Sequence, residues 1–185
     1  MNKPYETYVG SKVQLRYFVQ VTVSREYASK VVKEEFAVNN VEEEPEAQSL
    51  INMEAGMEGL YIEFKYNKGK YHLKDCVLGK IYFRLVKVRI KFTEIHIIRR
   101  EMIGTGTAIQ TENEVLAKYV VMEGTPVKGE CIPIRLFLKD CDLTPTYRNV
   151  NNKFSVRYSL ILLHVDDEDR RHFTRHEITL WRKKL

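Results

Sequence analysis

Residues 79–101, GKIYFRLVKVRIKFTEIHIIRRE, alternate apolar with polar side chains, a two-residue period that commits this stretch to extended strand. Ile81, Phe83 and Leu85 share one parity, Val86, Val88, Ile90 and Phe92 take the other, and Ile95 and Ile97 return to the first. Two phase changes predict two places where an extra residue, a β-bulge or bend, lets a long strand follow a curved sheet. Lys80, Arg84, Lys87, Arg89 and Lys91 stand between the apolar positions, so one face is expected to be apolar and the other cationic and wet.

The same period recurs along the chain. Val13, Leu15, Tyr17, Val19, Val21 and Val23 predict an uninterrupted, half-buried strand, and residues 31–38 a weaker one. Leu60, Ile62, Phe64 and Tyr66 form another, with Asn67-Lys68-Gly69-Lys70 as the turn into a returning strand that begins at Tyr71 and Leu73. Further strands are expected over 115–122, 132–138 and 154–165, with Ile178 and Leu180 closing the chain beside Trp181. No 3.6-residue period emerges. The expected fold class is therefore all-β, two antiparallel sheets whose alternating apolar positions meet in one core.

A length of 185 residues suits one domain or two small lobes. The acidic, proline-containing VEEEPEAQ at 41–48 reads as a linker, which divides the chain into 1–40, 41–48 and 49–185. No apolar run approaches the roughly 20 residues that span a bilayer, and Met1 leads directly into polar sequence, which points to a cytosolic protein. The cysteines Cys76, Cys131 and Cys141 are odd in number and lack CxxC spacing, so neither a disulfide framework nor a zinc knuckle is indicated. A net charge of +5 is spread through strand alternation and reads as solvated strand faces. Tyr82 among Lys80, Arg84 and Lys87 is a faint version of the aromatic-basic pattern of single-strand binders, so a basic β-sandwich that binds nucleic acid is the alternative class of function.

The residues that could carry chemistry have structural readings. His172 and His176 stand four apart in turn and strand, where that spacing does not converge two imidazoles as a helix would, and His72 with Cys76 meets the same objection. Gly104-Thr105-Gly106 is followed by no helix that could cradle a phosphate. The run Asp166 to Asp169 lacks the spaced ligands of a calcium loop and reads as a solvated hairpin tip. With no nucleophile motif and no assignable carboxylate pair, the expectation is a binding module without catalytic residues, cofactor or metal.

Five segments, KPYETYVGSKVQLRYF, YNKGKYHLKDCVLGKIYF, AKYVVMEGTPVKGECIPIRLFL, LTPTYRNVNNKFSVRY and DDEDRRHFTRHEITLWRK, run in order from Lys3 to Lys184. Together they resemble the arrestin-like small subunit of retromer, the vacuolar protein sorting 26 family. The resemblance implies two arrestin-like β-sandwich lobes in a non-enzymatic cytosolic scaffold, recruited peripherally to endosome membranes through its partners for retrograde retrieval of membrane cargo. It further implies that this chain carries the last strands of an N-terminal lobe, the linker and a complete C-terminal lobe. An arrestin-like subunit of a related sorting complex is the alternative within that class.

Two family sites carry over by resemblance. The loop that docks onto the large solenoid subunit, vacuolar protein sorting 35, falls on Tyr119, Val120, Val121, Met122, Glu123 and Gly124, with Val121 and Met122 in the place of its apolar anchors. A groove for sorting nexins and cargo tail peptides matches Phe173 and Ala55, the latter smaller than the valine usual there. Strict alternation would bury Val121 and turn Met122 outward, while Phe173 reads equally as a core residue of the lobe junction or a cargo contact. No nucleic-acid partner is implied. The long strand over 13–23, lacking the rest of its lobe, is expected to pair with a second copy of this chain.

Overall fold

The computed structural model describes residues 4–46, 48–104, 106 and 108–184, and among them strand is the only regular structure. Two large sheets hold the core. One runs β10 (Gln110–Glu123), β9 (Ile90–Ile103), β13 (Phe154–Asp166), β14 (Arg171–Trp181) and β7 (Lys70–His72), with β12 (Tyr147–Val150) also pairing β13. The other runs β11 (Cys131–Phe137), β8 (Cys76–Val86), β6 (Leu60–Tyr66) and β5 (Ile51–Met57). Apart from the parallel pairing of β7 with β14, all strand pairs are antiparallel. This is an arrestin-like β-sandwich.

The core forms where the alternating positions of both sheets meet. Ile62, Phe64, Ile81 and Phe83 from one sheet face Ile95, Ile97, Leu160 and Leu162 from the other, all without solvent contact. Each such side chain stabilises the fold by roughly 1.5–3 kcal/mol through desolvation.

Both phase changes in residues 79–101 are extra residues. Leu85 pairs Tyr61 and Phe83 pairs Ile62, leaving Arg84 as a bulge, and Phe92 pairs Val165 while Ile90 pairs Asp166, leaving Lys91 as another. The stretch is nevertheless two strands in two sheets, because residues 87–89 carry the chain across the sandwich. Lys80, Arg84, Lys87, Arg89 and Lys91 are all exposed.

Two expectations are corrected. The strand that returns from β6 is β8, not the segment at Tyr71. The side chain of Asn67 accepts from Leu78 N–H at 3.2 Å and Tyr71 hydroxyl at 2.8 Å, and the chain then enters the other sheet, where β7 runs parallel to Thr179–Trp181. The predicted strand over 13–23 is broken at Arg16 into β2 (Gln14–Leu15), which pairs β1 (Tyr8–Val9), and β3 (Tyr17–Arg25). β3 pairs with β4 (Ala28–Phe36) in a hairpin joined to neither large sheet. Its valines are therefore not half-buried: Val19, Val21 and Val23 stay 50–56% exposed.

The first described residues lie against the sandwich. The ring of Tyr8 stacks over Phe154 at 6.3 Å and meets the edge of Tyr147 at 5.4 Å. Glu101 on β9, itself buried, accepts the Tyr8 hydroxyl and the backbone N–H groups of Ser11 at 3.0 Å and Lys12 at 2.9 Å. Gly10 is required there, since a Cβ would lie 1.8 Å from a Glu101 oxygen. Buried Glu6 accepts a fork from Arg182 at 2.6 and 3.0 Å and a bond from Asn40 N–H at 3.0 Å. The acidic segment is pinned too: Glu42 bridges Lys183 in parallel, and Glu44 pairs the Lys183 side chain at 2.6 Å.

Candidate functional site

The end of β10 is an edge strand with its outer side unpaired among the described residues. Val120 pairs Glu94 and Met122 pairs Thr93, so Val121 is an extra residue, a bulge of the kind that re-aims side chains and protects edges. Met122 consequently does not point outward. Val121 and Met122 are both half-buried against the core, and Val120 is the exposed apolar residue at 61%.

The rest of the segment is held firmly. Tyr119 donates its hydroxyl to the Phe137 carbonyl at 3.1 Å, beside the Cys141 thiol, and burial followed by that thiol pushes its phenol up to about 12. Glu123 is exposed, and Gly124 takes φ +87°, a left-handed conformation suited to glycine, while its N–H donates to Lys91 at 2.6 Å. The Thr125 hydroxyl accepts from Ile90 N–H at 2.9 Å and donates back to the Ile90 carbonyl at 3.2 Å.

Ala55 and Phe173 do not share a pocket. Ala55 on β5 is 4% exposed with its side chain in the core, whereas Phe173 on β14 is 66% exposed on the outer face. A cavity of about 270 Å³ beside Phe173 is lined from the β5 side by Gly56 and Met57, the residues after Ala55. On β14, His172, Thr174 and His176 turn inward and the tyrosine of β6, Tyr66, hydrogen-bonds His176. Polar side chains face in while the aromatic faces out, the reverse of what hydropathy suggests.

The register instead joins Phe173 to the β10 segment. Val120 pairs Glu94, Glu94 pairs Leu163, and Leu163 pairs Phe173, one row across four strands of the outer face. Three inter-strand steps make that row about 14 Å long. Val120 and Phe173, one residue from each segment that the resemblance singles out, thus lie on one surface.

The other titratable clusters have internal partners. His172 Nε2 lies 3.2 Å from Asp166, and His72 Nδ1 accepts from Lys183 N–H at 3.1 Å. Among the described residues no three metal-ligating groups converge. Asp166 is not at a solvated tip but 1% exposed. Burial alone would raise its carboxyl, yet bonds from Arg170 and His172 hold it at about 2. Residues 167–169 are exposed, and Asp169 pairs Lys91 at 2.6 Å. Thr105 lies outside the described residues, so the Gly104-Thr105-Gly106 loop is not described as a unit.

Sequence reasoning missed His164. It lies in the row Thr93–His164–His172, is 2% exposed, and bonds the Thr93 hydroxyl through Nδ1 at 3.1 Å, while Nε2 has no partner among the described residues. Burial, then neighbouring His172, lowers its imidazole to about 4.

Comparison with known proteins agrees with this architecture. A family model described as Vacuolar protein sorting-associated protein 26 matches residues 1–169. Vacuolar protein sorting-associated protein 26 of Dictyostelium discoideum is 54% identical over 185 residues, 99% of this chain and 53% of that protein. The 26B protein of Homo sapiens is 53% identical over 184 residues, 99% of this chain and 55% of that protein. The chain therefore spans about half the length of the curated relatives it matches. Among solved structures, the sporulation control protein Spo0M of Bacillus subtilis shares the fold at TM-score 0.53 and 13% identity, covering 68% of this chain and 50% of that one. By the extent and identity of these matches, the chain belongs to the Vacuolar protein sorting-associated protein 26 family.

Proposed function

We propose that this chain acts as a non-enzymatic scaffold of a retromer-type sorting complex, docking the large solenoid subunit, vacuolar protein sorting 35, through the β10 segment from Tyr119 to Gly124. The observation that carries this reading is the outer-face row from Val120 to Phe173, which gives an exposed apolar side chain at the free edge and a second one about 14 Å away. Family membership supports a role in protein sorting. Sorting nexins and cargo tail peptides would meet the same face at Phe173, an extended peptide adding to the free edge of β5 and placing an apolar side chain beside Met57. Recruitment to endosome membranes would follow through these partners.

The bulge changes which substitution tests the contact. Val120→Asp removes an exposed side chain and should weaken capture of purified solenoid subunit at least about tenfold while leaving the thermal midpoint unchanged. Val121→Asp, which puts a charge against the core, should lower the midpoint as well. Undiminished capture by Val120→Asp would remove this segment from the interface.

A further inference from the structure

On the opposite side of the sandwich, the outer face of the four-stranded sheet holds a groove of about 670 Å³. Its apolar floor includes Leu50, Leu78 and Tyr82, and its charged lining is Lys65, Lys80 and Arg135, with no carboxylate among the lining residues. Leu50 and Leu78 are 76% and 45% exposed.

The register makes the charge placement unfavourable in isolation. Lys65 pairs Lys80 directly, and Lys80 pairs Pro133 on β11, two residue pairs along from Leu78 and Arg135 and so on the same face. Residues opposite one another in adjacent antiparallel strands hold their Cβ atoms about 5 Å apart, where like charges repel. Lys65 reaches Glu63 at 3.1 Å, but Glu63 is shared with Arg84 at 3.0 Å, and Lys80 and Arg135 have no carboxylate partner among the described residues. An apolar concavity rimmed by unneutralised cations favours an anionic occupant with an apolar side chain.

We infer that this groove binds an acidic peptide segment, carboxylates against Lys80 and Arg135 and one apolar side chain between Leu78 and Leu50. A bilayer is disfavoured because it presents a plane of headgroups to a concave site. A nucleobase is disfavoured because Arg84 at 4.7 Å and Lys65 at 5.6 Å already engage the Tyr82 ring and would compete with a stacking base.

Fluorescence anisotropy with a labelled peptide carrying one leucine flanked by glutamates and aspartates tests this on the chain itself. Binding should weaken as salt is raised, and Lys80→Glu with Arg135→Glu should reduce affinity at least about tenfold. Both sites are exposed, so the unfolding midpoint should hold, and Leu78→Ser should weaken binding with no change of charge. Three results would overturn the inference: equal affinity in the double charge variant, equal affinity for a peptide with serine in place of every acid, or no peptide binding alongside firm binding to phosphatidylserine vesicles or a single-stranded oligonucleotide.

Discussion

Replacing Glu101 by alanine is expected to lower the free energy of unfolding by about 4 kcal/mol, a large share of the 5–15 kcal/mol typical of a whole domain. The carboxylate is 2% exposed and accepts three bonds that tie residues 8–12 to β9. Hydrogen bonds to a charged group contribute about 1.5–3 kcal/mol each, and the sum is reduced because the acceptors are shared. Removal also leaves the Tyr8 hydroxyl without its acceptor inside the core. Burial first, and the Glu101 bond next, raise that phenol far above its ordinary value, so it remains a donor. Tyr8→Phe alone should cost about 1–2 kcal/mol, and less in the Glu101→Ala background. Urea midpoints of the four proteins read the cycle; additive single effects, or a Glu101→Ala protein within about 1 kcal/mol of the parent, would show that the clasp does not hold the N-terminal segment.

Acidification should act chiefly through His164. In the unfolded chain this imidazole titrates near 6.5, and in the fold near 4. Between those values the unfolded chain binds a proton that the folded protein refuses, so stability is intact above about pH 6.5 and falls as pH drops toward 4, by about 3 kcal/mol in all. Asp166, held at about 2 by Arg170 and His172, contributes in a lower window, losing its share as pH falls below the ordinary carboxylate range. His164→Phe fills the same space without a titrating group and without the unpartnered Nε2. Its stability at pH 7 should fall by about 1–3 kcal/mol, because the buried Thr93 hydroxyl loses its partner, but it should lose about 3 kcal/mol less on going to pH 4. Parallel pH profiles for the two proteins would place the acid sensitivity elsewhere.

The alternation made the strands legible because its cause is local: each side chain of a half-buried strand faces either core or water. Sheet membership is non-local and did not follow. Tyr71 pairs Leu180, and nothing in the NKGK turn says that the chain leaves one sheet for the other. The resemblance singles out the β10 segment but not its side-chain directions, because Val120, Val121 and Met122 are apolar in every phase and conceal the bulge between them. Phe173 was misleading for the opposite reason: His172 and His176 face inward with partners, so polarity and burial disagree. A run of four acidic residues looks solvated throughout, yet the hairpin geometry buries only the first and satisfies it with N–H donors. The buried carboxylates Glu6 and Glu101 were illegible because their partners lie 176 and about 90 residues away.

These directions bear on the docking surface proposed for this chain. With Met122 turned inward, the exposed apolar side chain at the β10 edge is Val120, and Phe173 extends the same surface. The cationic groove lies on the other sheet and is independent of it. Hydrogen exchange of the chain alone and with purified vacuolar protein sorting 35 subunit measures this most directly, since an edge strand that gains a partner gains amide protection. Added protection over residues 115–124, with residues 63–65, 78–82 and 131–135 unchanged, is the predicted result. Protection confined to those latter strands, with 115–124 exchanging as in the free chain, would contradict it.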